Sequence, residues 1–251
     1  MRGSRRTPGG GCVLLALALL GTNFLCADIT GTVTLIGQPK SKDETFYASS
    51  NGCGESPIRH TENWKISPKA GLGDVVVWIV DPKYKPEAAP AKPPPEIEIK
   101  QLGCRYLPHV VAVQAGVPFR IINGDPTLHN VRAQVSTGPG QPPGADVFNL
   151  GQPRQGQVDE EKFTDPGLYT LQCNVHGWMQ AWVMALATRS FAVSDTDGTF
   201  TIYQGPSLEI ADGDYKIDAW HARFADKVEQ TLQVKNGSAS IIIRFDGSKS
   251  F

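Results

Sequence analysis

Short runs of β-branched and aromatic residues recur along this chain, each closed by glycine, proline, asparagine or aspartate, and that cadence constrains the fold more than any other feature. Residues 29–36 (ITGTVTLI) alternate and stop at Gly37 and Pro39, and residues 75–80 (VVVWIV) form an apolar run closed by Asp81 and Pro82. Further runs fall at 97–101, 109–114, 119–123, 129–135, 157–163, 168–173 and 181–186, then at 191–193, 200–203, 215–220, 228–234 and 240–245. Asp197-Gly198 and Asn236-Gly237 sit where hairpins need positive backbone angles. With 26 glycines and 19 prolines, the sequence points to an all-β fold of sandwich or barrel type rather than to helices.

At 251 residues and 40% hydrophobic, the chain can bury one large core or two small ones. Its 24 basic residues are matched by 25 acidic ones, so no basic surplus exists to hold nucleic acid. The first 27 residues read as a secretory signal: Arg2, Arg5 and Arg6 precede an apolar run, and Leu25-Cys26-Ala27 offers a cleavage site. The run is too short to span a bilayer, which requires about 20 apolar residues. No integral membrane span is expected, and the mature protein is expected in the periplasm or secreted, by Sec or twin-arginine export.

Prolines 82, 86, 90, 93, 94 and 95 mark an extended connector. It separates an N-terminal β segment, 28–96, from a β domain at 97–187, which is followed by a C-terminal β segment at 188–251. Neither end has enough strands to close a sandwich by itself. The two are therefore expected to join into one discontinuous small sandwich, with the 97–187 region inserted.

Cysteine usage then becomes informative. Cys12 and Cys26 leave with the signal, so Cys53, Cys104 and Cys173 remain in an oxidising compartment, where three thiols cannot all pair. Around Cys173 the sequence reads C-N-V-H-G-W-M, placing thiol, imidazole and thioether at C-x-x-H-x-x-M on a strand end. A second imidazole, His129, lies at the corner N-G-D-P-T-L-H-N-V. Two imidazoles and a thiolate with a weak axial thioether form the ligand field of a blue copper centre, whereas zinc more often recruits several thiolates or keeps an open position. The expected metal ligands are His129, Cys173, His176 and Met179, holding one type 1 copper ion.

Residues 106–116, 119–123, 129–131 and 167–179 resemble the cupredoxin family of plastocyanin and amicyanin, over about a third of the chain. The short C-x-x-H-x-x-M loop is similar to that of amicyanin. The resemblance implies a Greek-key β-sandwich, His129, Cys173 and His176 as equatorial ligands, Met179 as the axial one, and Asn130 as the residue tying the two ligand loops together. Residues 31–39, 193–202 and 213–220 look like the transthyretin-like, carboxypeptidase-regulatory type of β domain, which implies no chemistry.

The implied function is single-electron transfer with a redox protein partner. A copper carrier or a structural or adhesion module is the alternative. An enzyme is disfavoured: no H-x-H pair occurs among the five histidines, the ligand loop has one cysteine, and G-x-S-x-G and H-E-x-x-H are absent. Cys53 and Cys104 are expected to form a disulfide. His109 is expected at the surface or beside the metal ligands, His60 in a polar loop, His221 in a structural role, and Trp182 in the core. Trp178 is expected in the core or over His176.

Overall fold

The structure is a computed structural model that describes residues 28–48, 51–54, 56–80, 97–202 and 210–251. The expected signal at 1–27 and the prolines at 82–95 lie outside the described residues. Apart from one 3-10 turn, Gly247–Lys249, the regular structure described is all strand. No described helix is long and apolar enough to cross a membrane.

The first strand, β1 (Ile29–Ile36), lies between β15 (Thr199–Ile202), antiparallel, and β18 (Ala239–Asp246), parallel. Facing this sheet is a second one, ordered β14 (Phe191–Val193), β4 (Val76–Val80), β16 (Gly213–Trp220), β17 (Val228–Val234). Strands from the two ends of the chain thus pair within both sheets. Val33, Leu35, Ile243 and Phe245 from one sheet meet Val77, Ile79, Ile217 and Leu232 from the other in a shared core. A small hairpin, β2 (Thr45–Tyr47) with β3 (Ile58–His60), stands apart from both sheets.

The middle of the chain forms its own pair of sheets. One is ordered β10 (Asp146–Gln152), β9 (His129–Ser136), β12 (Gly167–Gln172), β13 (Gln180–Leu186), β7 (Val110–Gln114). The other is ordered β11 (Val158–Glu161), β8 (Phe119–Asn123), β5 (Glu98–Gln101), β6 (Tyr106–Leu107). Ile99, Phe119 and Ile121 pack against Val131, Leu171 and Val183 between them. Phe163 stacks on Phe119 at 5.4 Å and on Tyr169 at 3.9 Å between ring centroids.

A third cluster joins the two sandwiches: Val76 and Trp220 from one side meet Val110, Ala112, Trp182 and Leu186 from the other. This explains why the strand sequences VVWIV and VVAVQ are apolar almost without interruption. A strand turns successive side chains to opposite faces. Val77 and Ile79 of β4 enter their own core while Val76 enters the join; Val111 and Val113 of β7 do the same opposite Val110 and Ala112.

Candidate metal centre

The site begins with a loop locked by one buried amide. The Asn123 side chain accepts from the Asp125 N–H at 2.9 Å and donates to the carbonyls of Thr127 at 2.8 Å and Gln152 at 2.9 Å. This fixes the turn 124–128 and delivers His129 as the first residue of β9. On the neighbouring strand, β12 ends at Gln172, and Cys173 opens a tight turn closed by Met179 N–H to His176 C=O at 2.9 Å and Cys173 N–H to Met179 C=O at 3.3 Å.

These two turns bring three donor atoms together. His129 Nδ1 lies 3.1 Å from His176 Nδ1, and Cys173 Sγ lies 3.8 Å from His176 Nδ1. His129, Cys173 and His176 offer ligand atoms that are all within 4.8 Å of one another, and all three residues are buried. Met179, 2% exposed, packs in the same core as Cys173. Among the described residues Cys173 is the free cysteine; Cys53 and Cys104 form a disulfide with a Cα–Cα distance of 5.0 Å. Two other groupings, Cys104 with Asp125 and His129, and Cys53 with Cys104 and His176, draw on that disulfide, whose sulfurs cannot act as thiolate ligands.

The surroundings prepare each donor. Cys173 Sγ accepts the backbone N–H of Asn130 and that of His176, both at 3.4 Å. Burial pushes the thiol up, but hydrogen bonds from His129 and from the N–H groups of Asn130, His176 and Val175 outweigh it and hold the thiol below its ordinary value. Burial, with the charge of His129 next, lowers His176 and so favours its neutral form. Burial alone would lower His129 too, but Cys173 and Asp125 raise it. A thiolate-forming sulfur and a neutral imidazole thus surround a spot where positive charge is already favoured. That donor chemistry fits a soft, thiophilic cation.

Asp125 was not singled out in the sequence. Its carboxylate is buried, accepts the N–H groups of Gly103 and Cys104 at 2.8 Å each, and lies 2.9 Å from His129 Nε2. The ring therefore donates from Nε2 and turns Nδ1 toward His176. The only available signal is an acid four residues before His129, which is weak in a loop that also reads as an ordinary turn.

Asn130 ties the ligand segments together: its side chain accepts the Asn174 N–H at 3.3 Å and donates to the Leu150 carbonyl at 2.9 Å. Trp178 does lie beside His176, with ring centroids 5.2 Å apart, and its indole N–H donates to the Cys104 carbonyl at 3.1 Å. His109 is not at the surface: it is 9% exposed, and its Nδ1–H donates at 3.0 Å to the carbonyl of Gln180, the residue after Met179. His221 is buried in an aromatic cluster, stacked on Trp64 at 5.3 Å, and His60 is on β3.

No protein-family model and no curated protein matches the sequence. Among solved structures, the copper-containing nitrite reductase NirK of Thermus scotoductus SA-01 overlaps 41% of this chain at 23% identity and a TM-score of 0.29, and the chain spans a quarter (25%) of that enzyme's length. A purple cupredoxin of Nitrosopumilus maritimus overlaps 36% of this chain and 100% of its own at 19% identity and a TM-score of 0.30. An amicyanin variant in its Cu(I) form overlaps 44% of this chain and 98% of its own at 23% identity and a TM-score of 0.30.

Proposed function

We propose that the 97–187 sandwich is a mononuclear type 1 copper domain that carries single electrons between redox protein partners outside the cytoplasm. The described parts of the 28–96 and 188–251 segments would form the scaffold beside it. The observation that carries this reading is the convergence of two Nδ1 atoms and one thiol sulfur, from two separate turns, within 4.8 Å in a buried setting. His129, Cys173 and His176, with Met179 beside them, would hold the ion. A copper ion bound there supplies a one-electron Cu(II)/Cu(I) couple.

The chain's own residues set the conditions. Asp125 keeps a proton on Nε2 of His129, leaving Nδ1 for the metal. The two backbone N–H groups on Cys173 Sγ spread its negative charge, a lever by which such sites set their potential. Asn130 and the turn hydrogen bonds fix the donors, so little ligand movement need accompany a change of charge. Leu128 and Val175, 44% and 48% exposed, flank the ligand turns and offer a partner protein an apolar approach.

Titrating the mature protein with Cu(II) while recording visible absorption and electron paramagnetic resonance tests this reading. Wild type is expected to give an intense blue band at one equivalent, and Cys173→Ser to lose it. A colourless, tightly held Cu(I) that does not cycle with small redox partners would instead identify a carrier. No blue band in wild type ends the type 1 assignment.

A further inference from the structure

The disulfide lies against the second nitrogen of the His129 ring. That ring turns Nδ1 toward His176 and Nε2 the other way, where Asp125 Oδ2 lies at 2.9 Å and Cys104 Sγ at 4.0 Å. Cys104, Asp125 and His129 offer ligand atoms that are all within 4.8 Å of one another. Cys53 Sγ is bonded to Cys104 Sγ and so stands next to the same spot. All four residues are at most 4% exposed. Bonds other than the cross-link hold them there. Asp125 accepts the N–H groups of Gly103 and Cys104 at 2.8 Å each, which keeps Cys104 in the left-handed region at a φ of 53°. The Cys104 carbonyl accepts the Trp178 indole N–H and the Cys53 carbonyl accepts the Arg59 guanidinium, both at 3.1 Å. Opening the bridge therefore leaves two thiols, a carboxylate and an imidazole nitrogen around one point.

We propose that in the dithiol form of the protein Cys53 Sγ, Cys104 Sγ, Asp125 Oδ2 and His129 Nε2 bind one zinc ion, at a site separate from the one on Nδ1 of the same ring. Zinc takes thiolate, imidazole and carboxylate ligands in a tetrahedron, with bonds of about 2.0–2.3 Å that hold the ligand atoms about 3.3–3.8 Å apart. The distances from Nε2 to Asp125 and to Cys104, 2.9 and 4.0 Å, bracket that range. Zinc has no redox chemistry of its own and leaves the thiols unoxidised. Cysteines enter a new chain as thiols, so the dithiol form precedes the disulfide and needs no reductant. On binding, the two thiols release their protons to solvent, and the Nε2 proton of His129 passes to Nδ1, which faces His176 Nδ1 at 3.1 Å. Closing the bridge moves two electrons from the thiolates to a disulfide oxidant, which takes up two protons and becomes a dithiol; the zinc ion leaves, and the ring proton returns to Nε2. The site uses neither copper nor Cys173, so its failure leaves the copper reading untouched.

The test uses the mature protein carrying Cys173→Ser, whose remaining cysteines are Cys53 and Cys104, reduced with a phosphine in urea and refolded without oxygen. Cobalt(II) is titrated in as a probe, because a near-ultraviolet charge-transfer band reports its thiolate ligands and visible bands report tetrahedral geometry, and zinc is added afterwards. One equivalent of cobalt is expected to give both sets of bands and one equivalent of zinc to abolish them, while the disulfide form of the same variant gives neither. Asp125→Asn in that background should bind cobalt at least about tenfold more weakly, since losing a ligand costs no less than losing an outer-shell partner. Should the reduced chain be unfolded before metal is added, zinc should fold it, because binding free energy at such a site is folding free energy; near-ultraviolet circular dichroism reads this. No charge-transfer band at one equivalent, equal cobalt binding by the Asp125→Asn variant, or an unfolded reduced chain that zinc leaves unfolded overturns the proposal.

Discussion

At the scale of single residues, the least conspicuous side chain carries much of the site's definition. An imidazole can present either nitrogen, and which one faces the metal is fixed by what the other bonds. For His129 that partner is the buried Asp125 carboxylate, itself held by two backbone N–H groups. Asp125→Asn keeps the shape but turns one oxygen into an NH₂ group, so a donor must face either a backbone N–H or the ring N–H. Outer-shell changes of this kind typically cost about 10- to 100-fold in metal affinity. Competition against a copper chelator should show a loss of that size, while the blue band survives because the ligands themselves remain. An unchanged affinity would mean that the carboxylate does not orient the ring.

At the scale of elements, the disulfide ties the segment between β2 and β3 to the turn between β5 and β6, beside the turns that carry His129 and Cys173. The same turn supplies the Cys104 N–H to Asp125 and the Cys104 carbonyl to Trp178. The bridge closes 51 residues, for which the chain-entropy relation gives about 4 kcal/mol at room temperature. The double variant Cys53→Ala and Cys104→Ala should lose stability of that order in urea unfolding. It should still develop the blue band, since the backbone groups of residue 104 are kept; a lost band would show that the cross-link itself shapes the site. Strand legibility followed burial. β1 and β4 stood out because their apolar residues had cores to fill. β10 (DVFNLGQ) did not: it is an edge strand with an irregular register between Asp146 and Phe148, it leaves most of its residues exposed or half-buried, and so its sequence carries little pattern. The convergence of His129, Cys173 and His176 was legible because that set of side chains is rare in combination. Asp125 and the burial of His109 were not, because both depend on which backbone groups the fold brings alongside, and no local pattern encodes that.

At the scale of the whole molecule, two sandwiches share one apolar join, and buried imidazoles lie close on either side of it. His221 accepts the Arg223 N–H on Nδ1 at 3.1 Å, stacks on Trp64 and packs edge-on to Phe224, an environment built for the neutral ring. Burial, with the charges of His109 and Arg223 adding to it, pushes His221 from 6.5 down to about 3. His109 is lowered as well, chiefly by burial, with Glu62 and Asp74 opposing. Between its ordinary value of 6.5 and about 3, the unfolded chain binds a proton at His221 that the folded chain refuses. Stability therefore falls as pH drops through that window, by about 1.4 kcal/mol per pH unit for this one group. Urea unfolding of the metal-free protein at about pH 6.5 and about pH 4.5 should accordingly differ by roughly 2–3 kcal/mol from His221 alone. His221→Gln keeps a neutral acceptor but loses the stacked ring, so it should be less stable near neutrality and yet show a pH slope shallower by one proton. Parallel slopes for the two proteins would place the acid sensitivity elsewhere. A shallower slope would tie the acid limit of the scaffold to the same desolvation that lets its aromatic core close around the ring.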